Sequence, residues 1–285
     1  MKKIILYILI SVFFVTISFG QGEFQIKSIP NNVFMISSHN GLSAFIDIEY
    51  ISKAYEIDFI KYPAQINFQK VRYKNLSISM LNYGTLKDQI DDQVLYQFNS
   101  YEIDINYHYS KKILKNKFLL NTSSGVVYSK IDNINAYGLS GDFKITTKSN
   151  KYNLNFALSL KNLSILLKHY NQNKTYFPTQ YQIGVLYNIH STSMNLGYDL
   201  IYHLNAEFYE HIYCLQFPIG NYVSMRMSSN NFRKDLLIDN YREDWFYGLS
   251  YGLTVNSLKI GTDISISSLG TAGFLYGISF NFKTN

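Results

Sequence analysis

The chain has 285 residues, 47% of them hydrophobic and 16% charged, and carries a formal net charge of +6. Its basic residues are scattered rather than clustered, which excludes a nucleic-acid footprint. A single cysteine, Cys214, excludes an intrachain disulfide and a multi-cysteine metal site. The 26 tyrosines and 20 phenylalanines beside one tryptophan exceed what a soluble core uses, whereas aromatic girdles at two membrane interfaces need them.

Residues 1–20 read as a signal peptide. Lys2 and Lys3 open it, Ile4 to Phe19 form its apolar stretch, and Ser18 and Gly20 precede a cut ahead of Gln21. The other reading is a single membrane anchor, for which the run is short. Removing the two leader lysines lowers the net charge from +6 to +4. No lipobox-type cysteine follows. Residues 21–40 are less regular and are expected to form a short periplasmic or plug-like segment. Beyond them no stretch approaches the ~20 apolar residues of a spanning helix, so a membrane-embedded chain must cross with strands.

Residues 41–285 show such strands, beginning with one expected near Gly41 to Tyr50. From Tyr101 the odd positions (Tyr101, Ile103, Ile105, Tyr107, Tyr109) are apolar or aromatic, and the even ones (Glu102, Asp104, Asn106, His108, Ser110) are polar. The same period recurs at Met194 to Tyr202, Trp245 to Val255, Leu258 to Ile266 and Phe274 to Phe282. Between Leu160 and Leu163 the apolar parity slips by one residue, as a β-bulge or a strand end would make it. Short turn signals at Lys74-Asn75, Lys115-Asn116, Ser149-Asn150, His190 to Thr192, Gly220-Asn221 and Asn256-Ser257 alternate with longer connections at Lys87 to Gln93, Lys130 to Asn135, Asn171 to Pro178, Asn230 to Asp244 and Ser267 to Gly273. A shorter connection lies near His203 to Ala206. That rhythm predicts an all-β, antiparallel up-and-down outer-membrane barrel of about 14 strands, with 12 or 16 as alternatives. An even number returns both ends to the periplasm. A soluble β-sandwich has the same alternation; leader, tyrosine load and strand length favour the barrel.

No catalytic, cofactor-binding or metal-binding residues emerge. No nucleophile elbow or phosphate loop is present. His203 and His211 flank Glu207 and Glu210, a spacing compatible with a surface metal site or with a solvated polar loop. Glu102, Asp104, His108, Asp199, Arg226, Lys259 and Asp263 are expected to face the lumen, where they line a channel, hold a plug or pair with one another. Phe232, Arg233, Lys234, Leu236, Leu237, Tyr241 and Arg242, in the longest outer connection, are candidate partner contacts; packing of that loop on the barrel is the alternative. Gly277, Phe280 and Phe282 match the Gly-x-x-aromatic-x-aromatic close of many outer-membrane strands, with Leu275 in place of the usual polar residue.

Several segments together resemble the PorQ/PorV group of the bacterial type IX secretion system, which is related in fold to FadL-type transporters. They are Ile29-Pro30-Asn31, Asn82-Tyr83-Gly84-Thr85, Phe156 to Leu163, Tyr170-Asn171, Pro178, Gly184-Val185, Arg233 to Leu236 and Gly248 to Gly252. Val33 to Leu42 lacks that group's Ala-Ala-Leu-Gly-Gly stretch. The resemblance, closest to PorQ, implies a FadL-like 14-stranded barrel in a Bacteroidetes-type bacterium. It implies a non-enzymatic role without cofactors, in export or surface attachment of cargo. The implied partners are outer-membrane lipid, other type IX secretion proteins and secreted cargo. The alternative is a FadL-like transporter of hydrophobic small molecules, which needs an apolar lumen patch and a gap in the wall.

Overall fold

A computed structural model describes residues 27, 53–63, 65–90, 93–115, 117–149, 151–170, 177–231, 246, 248–257 and 259–283. The strands are β1 (Lys53–Lys61), β2 (Asn67–Tyr73), β3 (Leu76–Ile90), β4 (Gln93–Ile113), β5 (Phe118–Ile131), β6 (Ile134–Ser149) and β7 (Leu154–Lys168). They continue with β8 (Gln180–Ile189), β9 (Met194–His203), β10 (Phe208–Pro218), β11 (Val223–Asn230), β12 (Leu249–Asn256), β13 (Ile260–Ser268) and β14 (Phe274–Lys283). Each pairs antiparallel with its sequence neighbours, and β14 pairs with β1 to close the barrel. The expected strand at Gly41 to Tyr50, the leader and the segment 21–40 lie outside the described residues, apart from Lys27.

The closed sheet turns its greasy side outward. Tyr107 is 53% exposed, Leu158 57% and Ile165 63%, whereas Asp104, Asp199 and Asp263 are buried inside. A soluble sandwich would have the reverse arrangement. Tyr55 and Tyr73 stack at 4.7 Å on the outer wall beside one rim, where an amphipathic ring meets both lipid and water.

The parity slip is a bulge. Gly141 pairs with Leu163 and Phe143 with Leu160, so Lys161 and Asn162 together oppose Asp142. Asn162 has φ 58°, and its amide N–H donates to Asp142 Oδ1 at 2.8 Å. Asparagine tolerates that left-handed backbone better than most residues.

Two expected long connections are shorter than their polarity suggested. The β3–β4 ladder runs on to Ile90 and Gln93, and the β5–β6 ladder to Ile131 and Ile134. The β2 ladder stops at Asn67–Asn82 and the β5 ladder at Ser100–Ile131. Residues 85–99 therefore extend beyond the β2 and β5 ladders, and Tyr96 OH donates to Asp132 Oδ1 of the neighbouring β5–β6 hairpin at 2.6 Å. Gly84, at φ +73°, bends the strand where it leaves the wall.

Candidate functional site

The inner wall has two layers of different chemistry. Across the middle runs a belt of charge. Arg226, fully buried, donates to Asp263 Oδ1 at 3.2 Å. Asp263 also accepts from Thr254 Oγ1 and, at Oδ2, from Asn281 Nδ2 at 3.2 Å. On the other side of β1, Lys27 Nζ lies 2.8 Å from Asp104 Oδ2. Asn106 Nδ2 donates to the same carboxylate at 2.6 Å. The Asn106 side chain crosses Gly125, where a Cβ would sit 2.1 Å from Oδ1. Lys27 is thus held inside the barrel, and its carbonyl accepts from Asn162 Nδ2 at 3.1 Å.

Above the belt, at the end bearing the β1–β2 and β7–β8 connections, the inner wall turns apolar. Ile60, Phe68, Leu81, Val127, Ala136, Phe177 and Leu275 form one buried cluster, with Tyr62, Tyr83, Leu166 and Tyr170 packed against it. Each large side chain buried this way stabilises by about 1.5–3 kcal/mol. Phe177 enters from the β7–β8 connection over Gly138, where a Cβ would lie 3.2 Å from its ring. Hydrogen bonds anchor the aromatic layer to polar neighbours: Tyr83 donates to Glu102 Oε1 at 2.9 Å, and Tyr170 donates to Ser129 Oγ.

The wall changes character where Phe177 enters. The β7–β8 ladder ends at Lys161–Gln180, although β7 continues to Lys168. Side chains join the two sides there. Asn162 Nδ2 donates to the Pro178 carbonyl at 3.0 Å, Thr179 Oγ1 to the Asn162 carbonyl at 3.1 Å, and Asn205 Nδ2 to the Phe177 carbonyl at 2.7 Å.

Of the residues expected in the lumen, Glu102, Asp104, Asp199, Arg226 and Asp263 are buried on the inner face. His108 is partly exposed, with Nε2 2.8 Å from Ser77 Oγ. Lys259 differs: β13 starts at Ile260, so Lys259 lies exposed in the preceding turn. His203 and His211 face opposite ways. His203 pairs with Glu210 at 3.0 Å inside, while His211 Nδ1 lies 2.8 Å from Tyr198 OH on the outer wall. The candidate loop Phe232 to Arg242 lies outside the described residues. The apolar inner layer was not expected from the sequence. Its signal is the loss of alternation at Phe59-Ile60, Met80-Leu81 and Phe274-Leu275-Tyr276, where both faces become apolar.

No protein-family model and no curated protein matches the sequence. Solved structures do. A deltaS2 mutant of the monoaromatic hydrocarbon channel TodX aligns at TM-score 0.51 and 8% identity, over 92% of this chain and 100% of that one. The Acinetobacter baumannii outer membrane protein Omp33 aligns at 0.42 and 10%, over 82% and 99%, and the KdgM porin at 0.39 and 10%, over 81% and 99%. A closed antiparallel barrel with an apolar outer face satisfies every ladder hydrogen bond in lipid, and TodX has the same overall fold. The chain is a 14-strand β-barrel of the bacterial outer membrane.

Proposed function

We propose that the protein is a non-enzymatic component of type IX protein secretion, a membrane platform for export or surface attachment of cargo. The observation that carries this reading is an inner wall lined at its mouth by packed apolar side chains and in its middle by paired charges. A solute entering from the mouth meets the apolar cluster around Phe177 and then the Arg226–Asp263 and Lys27–Asp104 pairs. A wall whose main charges pair with one another leaves recognition to the outer surfaces, and the resemblance to the PorQ/PorV group names the process. The segment Phe232 to Arg242 is the proposed partner contact.

A second reading is a carrier of hydrophobic small molecules. The apolar inner layer and the ladder gap beside Asn162 favour it, since an apolar passenger needs both a greasy lumen patch and a way through the wall. One strain separates the two. Deleting residues 232–242 should leave a folded, heat-modifiable barrel and lower the amount of secreted cargo. Unchanged secretion overturns the platform reading, and loss of labelled fatty-acid uptake with intact secretion replaces it with the carrier.

A further inference from the structure

The fold gathers cations that the sequence spreads out. Every second hairpin turn lies at the same end of an up-and-down barrel, so the turns after β2, β4 and β6 are neighbours on the short-turn rim. With strands about 4.8 Å apart, these turns follow one another at about 10 Å. They and the strand ends beside them, residues 72–76, 110–120 and 147–153, contain no Asp or Glu. The first carries exposed Lys74, the second Lys111, Lys112, Lys115 and Lys117, and the third Lys148 and Lys151. Among the described residues no carboxylate pairs with any of these lysines. The turns after β8, β10 and β12 share the rim, and in residues 189–194, 218–223 and 256–260 the sole Lys, Arg, Asp or Glu is Lys259. The opposite end is mixed, with Asp132, Glu207 and Glu210 among Lys61, Lys130 and Lys168. Unopposed positive charge is thus concentrated on one half of one rim.

The aromatic girdle shows where these cations are held. Lys74 Nζ lies 5.2 Å from the ring centroid of Tyr73, and Lys151 Nζ 5.2 Å from that of Tyr152. Both rings are exposed. Lys111 follows Tyr107 and Tyr109 on the outward-facing parity of β4. A lysine just beyond an interfacial ring lays its stem along apolar surface and holds its ammonium at the level of the lipid headgroups. Short turns of such barrels face the periplasm. We infer that the short-turn rim of β2–β7 binds anionic phospholipids of the periplasmic leaflet, with the ammonium groups on the lipid phosphates. Lys74, Lys111 and Lys151 sit at the edge of the outer wall, which decides for lipid over an acidic protein approaching from below. Lys112 and Lys148, on the inward-facing parity, add to the same field. A zwitterionic headgroup carries its own ammonium beside the phosphate and gains less from these lysines, so the rim selects net negative lipids. The inference holds for a platform and for a carrier alike.

The test is electron spin resonance of spin-labelled lipids around the barrel reconstituted in phosphatidylcholine, with heat-modifiable migration as the check on folding. Wild type should immobilise labelled phosphatidylglycerol about fivefold more strongly than labelled phosphatidylcholine, the factor that one cation near an anionic surface supplies. Raised salt should erase that preference. The triple variant Lys74→Gln, Lys111→Gln, Lys151→Gln should lose most of it. Lys61→Gln, Lys130→Gln, Lys168→Gln removes as many charges from the other rim and should keep it. If the first triple variant does not fold, Lys74→Gln with Lys151→Gln decides the matter, by a smaller loss in the same direction. Equal immobilisation of the two lipids by folded wild type overturns the inference and leaves the rim to water or to an acidic protein. A preference that survives loss of the short-turn lysines, or that falls as far on loss of the opposite ones, overturns it too, because the lipid is then held elsewhere.

Discussion

The inner wall is held by paired charge in its middle and by apolar packing at its mouth, and the two layers respond differently to damage. The Arg226–Asp263 pair depends on both partners being present, because a lone buried charge has lost water and gained nothing. The cluster around Leu81 and Phe177 has no such pairwise dependence. Apolar burial is non-directional, and neighbours can move into part of a space left behind. The middle therefore resists partial change, while the mouth tolerates it.

The largest effect should come from Arg226→Met. It leaves Asp263 buried with Thr254 and Asn281 as its donors among the described residues, and should cost about 3–5 kcal/mol in denaturant unfolding of the reconstituted barrel. The double variant Arg226→Met with Asp263→Leu removes both charges and should recover most of that loss. If the double variant is as unstable as the single one, the belt is held by packing volume and not by pairing.

Leu81→Ala should rank second, at about 2–3 kcal/mol, the lower part of the range for such truncations, because Phe68 and Tyr83 can settle towards the space. Met80, its neighbour, is 37% exposed on the outer wall. Met80→Ala should cost clearly less, as its side chain exchanges protein contacts for lipid. Equal costs at positions 80 and 81 would mean that the inner cluster is no better packed than the lipid face.

How much of this was legible in the sequence follows from the same contrast. The outer wall and the belt lie in lipid and in a polar lumen, so the strand through Tyr101 to Ser110 reads as clean alternation. The bulge at Lys161-Asn162 was legible because one extra residue shifts the parity of every apolar position after it. At the mouth both faces are apolar, so Phe274-Leu275-Tyr276 loses the period that assigns faces, and the inner layer stays hidden. The pairing of Lys27 with Asp104 and of Arg226 with Asp263 was equally hidden, since neither joins residues adjacent in sequence or on directly paired strands. Lys259 was assigned inward by starting the strand at Leu258, two residues before β13 begins at Ile260. The polar runs at Lys87 to Gln93 and Lys130 to Asn135 looked like loops because charged and amide residues there fall on both parities of the strand.

The smallest effect separates the two layers by pH. Tyr170, beyond the end of β7, packs its ring on the mouth cluster and donates to Ser129. Burial, with Glu102 nearby, pushes its phenol up from 10.0 to about 12, against the opposing pull of the Ser129 hydrogen bond. The folded state therefore favours the neutral phenol. That contribution is fully present below pH 10 and is lost as the pH rises through about 12. Tyr170→Phe removes the hydroxyl and should cost about 1 kcal/mol at neutral pH. It should then lose less than wild type across the alkaline window, so the two unfolding curves converge there. The Arg226 guanidinium keeps its charge throughout that window, and Arg226→Met should stay equally far below wild type on both sides of it. Parallel alkaline losses in wild type and Tyr170→Phe would show that the phenol of Tyr170 takes no part in holding the mouth cluster.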